Sequence, residues 1–87
     1  SPGIPLRLNV KKPKSDEAFI LIKKRNKSLK SYYYLSKNKN LKQAAKNLYK
    51  ILRLIKNRSY KRIAVEKIPN IGVGEAINDR LKRAATK

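Results

Sequence analysis

Several groups of residues in this chain have types and spacings that could do chemistry. Gly72-Val73-Gly74-Glu75 stands between a strand-like run and an amphipathic one. Glycines there could cradle a phosphate. A dinucleotide fingerprint, however, needs another glycine where Ile77 stands, and Glu75 would face the pyrophosphate at the helix N-terminus. The other use of the pair is tight turning and close helix–strand approach. Lys42, Lys46, Lys50 and Arg53 fall on one face of a helical pattern and could grip phosphates, or form a solvated face. Tyr32-Tyr33-Tyr34 could offer a platform for stacking bases. On a strand Tyr32 and Tyr34 share one side with Tyr33 opposite, which equally describes core and sheet-surface packing. The carboxylates Asp16, Glu17, Glu66, Glu75 and Asp79 form no convincing acid–base pair; Lys82 and Arg83 lie within helical reach of Asp79. No catalytic residue and no metal site is predicted.

Composition narrows the chemistry further. The 87 residues include no Cys, His, Met or Trp. Disulfides, the usual Cys/His zinc site, cysteine nucleophiles and histidine bases are thereby excluded. A chain with no methionine is expected to be a fragment or a processed product. No apolar run approaches the ~20 residues of a membrane span, and the start does not resemble a signal peptide. A soluble, cytoplasmic protein without membrane contact is expected. Lys and Arg number 24 against 5 acidic residues, a formal net charge of +19. Such a balance suits a polyanion partner: RNA, DNA or an anionic membrane surface. Drift in an AT-rich genome, which favours lysine and asparagine codons, is the other source of it.

The elements that must position these residues are legible as one small α/β domain. Residues 1–5 read as an extended linker and 6–87 as the domain. Leu6 to Val10 alternates like a half-buried strand, and Lys11 to Glu17 reads as a polar turn. Ala18-Phe19-Ile20-Leu21-Ile22 is a continuous apolar run, the mark of a strand covered on both faces. Lys23 to Ser31 is a basic loop, short enough for a hairpin or a tight crossover, before a strand at Tyr32-Tyr33-Tyr34-Leu35. Asn40 is a natural N-cap with Gln43 three residues on. From there Leu41, Ala44, Ala45, Leu48, Leu52 and Ile55 keep helical spacing. Arg62 to Glu66 is a short strand that Pro69 ends. Ala76, Ile77, Leu81 and Ala84 form the apolar face of a last helix, with Glu75 and Asp79 early and Lys82 and Arg83 late, as a helix dipole favours. Strand–helix–strand–helix implies parallel pairing. The expected fold is a small, open, Rossmann-like sheet with mainly parallel strands and two principal helices. Phe19, Leu21, Leu48, Leu52, Ile63, Val65, Ile77 and Leu81 are its expected core.

Beside this reading, the order of weak motifs resembles a known family. Tyr34-Leu35-Ser36, Leu48-Tyr49-Lys50-Ile51-Leu52-Arg53 and Ile63-Ala64-Val65-Glu66-Lys67-Ile68-Pro69 are similar to successive elements of the C-terminal domain of two-domain threonylcarbamoyl-AMP synthases. The tail matches at Gly72, Gly74, Ala76, Ile77, Asp79, Arg80, Leu81, Arg83, Ala84 and Ala85. The linker of that family carries His-Tyr-Ala-Pro. Ser1-Pro2 resembles the end of that motif, and in another alignment Ser1-Pro2-Gly3 matches an earlier Ser-Pro-Gly, which puts Leu8 and Asn9 at the His-Tyr positions. The first is preferred because Leu6 to Val10 reads as a strand.

The resemblance implies a YrdC-like catalytic domain upstream. That domain would make threonylcarbamoyl-AMP from L-threonine, bicarbonate and ATP, with Mg, for tRNA modification. The present domain would be accessory and without cofactor of its own, packing on the catalytic domain and anchoring the linker. Its tail motif would be structural, with Asp79 and Arg80 in a buried or half-buried ion pair. Contact with tRNA through Lys42, Lys46, Lys50 and Arg53 would be weak and non-specific. The competing class is a free-standing basic RNA- or DNA-binding protein.

Overall fold

The computed structural model describes residues 4–23, 25–26 and 29–85. Ser1 and Pro2, the expected linker residues, lie outside the described residues. Strands β1 (Leu6–Arg7), β2 (Glu17–Lys23), β3 (Tyr32–Ser36) and β4 (Arg62–Val65) form one sheet in the order β1-β4-β2-β3, every neighbouring pair parallel. Helix α1 (Leu41–Lys56) joins β3 to β4, and α2 (Val73–Ala85) follows β4. The strands of Phe19, Tyr33 and Ile63 are thus adjacent.

The crossovers decide what lies on each face. From β1 the chain passes β4 to reach β2, and from β3 it passes back over β2 to reach β4. Right-handed connections running in opposite directions must use opposite faces. The β1–β2 connection and α1 therefore take opposite faces, and α2 joins α1 on its face, where Ala18, Ile20, Ile22, Ile63 and Val65 meet Leu48, Leu52, Ile55, Ile77 and Leu81. On the other face Phe19, Leu21 and Ala64 have no exposed surface, and Val10, Tyr32 and Tyr34 pack on them. An extended segment and tyrosine rings do there what a helix does opposite. The apolar run is therefore covered on both faces, with each large buried side chain contributing ~1.5–3 kcal/mol. Tyr33 points to the helical face and Tyr32 and Tyr34 to the other. All three are half-buried, and Tyr32 meets Phe19 edge-on at 5.4 Å.

Sequence expectations need correction at several points. The first strand stops at Arg7, because Asn9 adopts a left-handed φ of 57°. Val10 rejoins the sheet through its N–H, which donates to the Val65 carbonyl at 2.9 Å. Glu17 is no turn residue: it opens β2 and its side chain is fully buried. β2 and β3 pair in parallel, so the link between them is a crossover and not a hairpin. Asn40 caps α1 through its side chain, which accepts from the Gln43 N–H at 3.0 Å. Gln43 does not return the bond. Its Oε1 accepts from the hydroxyl of buried Ser36 at 2.8 Å, and that hydroxyl oxygen accepts from the Asn40 N–H at 2.9 Å. Ala76, expected on the apolar face of α2, is exposed.

Candidate functional site

The tail residues serve two separate purposes. Gly72 has a φ of +51°, the left-handed turn that leads into α2, and open space where a Cβ would be. Gly74 is buried in the first turn of the helix, where a Cβ would lie 1.9 Å from the Pro69 carbonyl oxygen. It lets α2 press against the segment that leaves β4. Asn78 fastens the same segment, donating from Nδ2 to the Ile68 carbonyl at 2.9 Å. Leu81 is buried in the core. The turn does not fit a diphosphate: its close-approach glycine is filled by the chain's own carbonyl, and Glu75 occupies the helix start. Among the described residues no group of three His, Cys, Asp or Glu side chains could hold a metal ion.

Asp79 and Arg80 do not form the expected ion pair. Asp79 Oδ2 meets Arg83 Nη2 at 3.0 Å, one helical turn away and largely exposed. Arg80 turns to α1, where its guanidinium lies 4.4 Å from the Tyr49 ring centroid. Neighbours on a helix diverge by about 100°, so Arg80 faces α1 while Asp79 cannot.

The structure brings residues from two sequence patterns together between the helices. Arg53 of the basic row, with Tyr49 and Lys56, faces Arg80 and Arg83 of the tail across a groove of about 420 Å³. Its floor is apolar, from Leu52 and Ala84. Lys42, Lys46 and Lys50 are exposed on α1 but do not line it. Both helices end beside this groove, so much of its positive charge answers the negative ends of two helix dipoles.

A second cationic concavity lies where β2 and β4 end. Lys23 ends β2 and Arg25 follows it, Lys67 and Pro69 follow β4, and Lys39 comes from the β3–α1 loop, around a crevice of about 600 Å³. Glu66 is its acidic group, and it is already engaged: it accepts from the Ile22 N–H at 3.0 Å and pairs with Arg25. Arg25 also sits over the Phe19 ring, 5.5 Å from its centroid. Sequence reasoning missed this cluster because its members come from three loops. It equally missed Arg7, whose pairing with Glu17 holds that carboxyl well below its usual range, at about 2. Burial, helped by a hydrogen bond with Tyr60 at 3.3 Å, pushes the Tyr33 phenol up to about 12.

Comparison with known families completes the picture. A family model described as threonylcarbamoyl-AMP synthase, C-terminal domain, matches residues 1–86. The chain belongs to this family. Its role accordingly lies in threonylcarbamoyl-AMP synthase. Comparison with curated proteins gave no match, and neither did comparison with solved structures. The family match covers the residues of both concavities as well as the tail motif. No helix among the described residues is long and apolar enough to cross a membrane.

Proposed function

We propose that this chain is the accessory domain of an enzyme that makes threonylcarbamoyl-AMP from L-threonine, bicarbonate and ATP, for threonylcarbamoyladenosine in tRNA. The family match over residues 1–86 carries this reading. Catalysis belongs to a YrdC-like domain of the same polypeptide, preceding residue 1, and ATP and Mg are handled there. Residues 1–5 are the end of the interdomain linker, and residues 6–87 anchor it while packing on the catalytic domain. The enzyme works in the cytoplasm. The chain's own residues support a non-catalytic part. It has no His or Cys, and its carboxylates at positions 16, 17, 66 and 79 are each held by an arginine. A free-standing nucleic-acid-binding protein, the other class that +19 permits, is disfavoured by the family match.

The test is to assay threonylcarbamoyl-AMP formation, and survival of the intermediate in water, for the catalytic domain with and without this chain attached. The chain alone should make no product, and its removal should lower synthesis or speed loss of the intermediate. Product made by this chain alone, or synthesis and survival unaltered by its removal, would overturn the reading.

A further inference from the structure

We infer that the crevice at the carboxyl ends of β2 and β4, with Lys23, Lys39 and Lys67 at its mouth, binds the phosphate backbone of RNA. The topology puts a binding site there. The chain leaves β2 toward β3, while it leaves neighbouring β4 through α2, which packs back toward β1 on the helical face. Adjacent parallel strands whose connections depart in opposite directions open a crevice beyond their carboxyl ends, and ligands of open α/β sheets bind in such crevices. This one measures about 600 Å³.

Its charge selects an anion. No carboxylate among the described residues pairs with Lys23, Lys39 or Lys67, since Glu66 is taken by Arg25 and the Ile22 N–H. The surroundings add positive field rather than relieving it. Helix α1 begins beside Lys39 and has no acidic residue in its first turn, so no carboxylate offsets its positive end beyond the neutral Asn40 cap. Lys39 is itself held in the left-handed region, at a φ of 63°. The groove between the helices differs on this point. It lies at two helix C-termini, where cations are stabilising without any ligand.

The side chains select an extended polyanion over a small one. Lys23, Lys39 and Lys67 are exposed, and flexible ammonium groups act as point charges rather than a shaped cradle. Lys37 and Lys42, on either side of Lys39 in sequence, are exposed as well and add charge that an extended polyanion can meet. This inference does not rest on the accessory-domain reading, because the affinity concerned is that of this chain itself.

The experiment is fluorescence anisotropy of a labelled RNA hairpin between about 50 and about 200 mM salt. The chain is compared with its Lys23→Gln/Lys39→Asn/Lys67→Gln variant. Asparagine tolerates the left-handed backbone at position 39, and a thermal melt verifies that the variant folds. We expect the slope of log affinity against log salt to flatten by about three units, and affinity at the lower salt to fall about tenfold or more. An Arg53→Gln/Arg80→Gln/Arg83→Gln variant should flatten the slope by less than about half as much. Equal flattening by the two variants overturns the inference, because charge would then act as an undifferentiated cloud. Absence of RNA binding by the parent chain overturns it as well. So does displacement of the RNA by micromolar sodium pyrophosphate, the behaviour of a small-anion pocket.

Discussion

Arg7 on β1 and Glu17 on β2 clasp each other across the strand between them. Arg7 Nε and Nη2 each donate to a Glu17 carboxylate oxygen at 2.7 Å, and the Lys14 N–H donates to the same carboxylate at 2.8 Å. Strand β4 lies between the partners, and the residue paired with Arg7 there is Ala64, fully buried. A two-residue edge strand is thereby tied to the centre of the sheet by more than its own ladder.

The clasp should set the acid limb of stability. The Glu17 carboxyl is held at about 2, chiefly by its hydrogen bonds with Arg7, against an ordinary 4.5. A carboxyl depressed in the folded state stabilises above its unfolded value, and that contribution is lost as pH falls from about 4.5 toward 2. The amount at stake is ~3 kcal/mol. Arg7→Gln should raise the Glu17 pKa, since burial of the carboxylate remains, and move acid unfolding to higher pH. Circular dichroism followed from neutral pH to pH ~2 measures this. An acid limb unchanged in the variant contradicts the assignment.

Ala64 should tolerate no enlargement. It faces Phe19 on one side and Arg7 on the other, and has no exposed surface. Ala64→Leu should cost ~1–3 kcal/mol by overpacking, and more if the Arg7 guanidinium is pushed off Glu17. Denaturant melts give the loss, and an accompanying rise of the acid limb would show that the clasp had opened.

The tail glycines should separate in a stability assay. Gly74→Ala places a Cβ against the Pro69 carbonyl, a backbone atom, so α2 must move; the expected loss is on the order of 3 kcal/mol. Gly72→Ala meets nothing within 4 Å and loses only through its left-handed backbone, ~1 kcal/mol. Equal losses would mean that the close approach does not constrain the helix.

Arg80 should matter little to stability. Its contact is an exposed stack on Tyr49, whose ring is 50% exposed, so Arg80→Ala should cost ~0.5–1 kcal/mol. Asp79→Asn removes an exposed helical ion pair and should cost ~0.5 kcal/mol or less. Losses of several kcal/mol in urea melts would restore the buried pair that the sequence suggests.

Much of the architecture follows from the sequence alone, because it is encoded locally. The spacing from Leu41 to Ile55 and the Asn40 cap determine α1. The continuous run at Ala18–Ile22 declares a strand buried on both faces, and the strand–helix–strand order demands parallel pairing. The tail motifs, in their order, are enough to indicate the family. None of these depends on which distant residues meet.

What only the tertiary structure decided depends on that. Glu17 is ten residues from Arg7 along the chain but a strand apart in the sheet, so a polar residue beside a turn becomes a buried anion only once β4 has been inserted between β1 and β2. Lys23, Lys39 and Lys67 converge for the same reason, since three parallel strands must end side by side before their loops can share a crevice. Asp79 and Arg80, adjacent in sequence, diverge because a helix turns each residue away from the next. Local patterns determine elements, while the order of strands in the sheet determines which charges face one another.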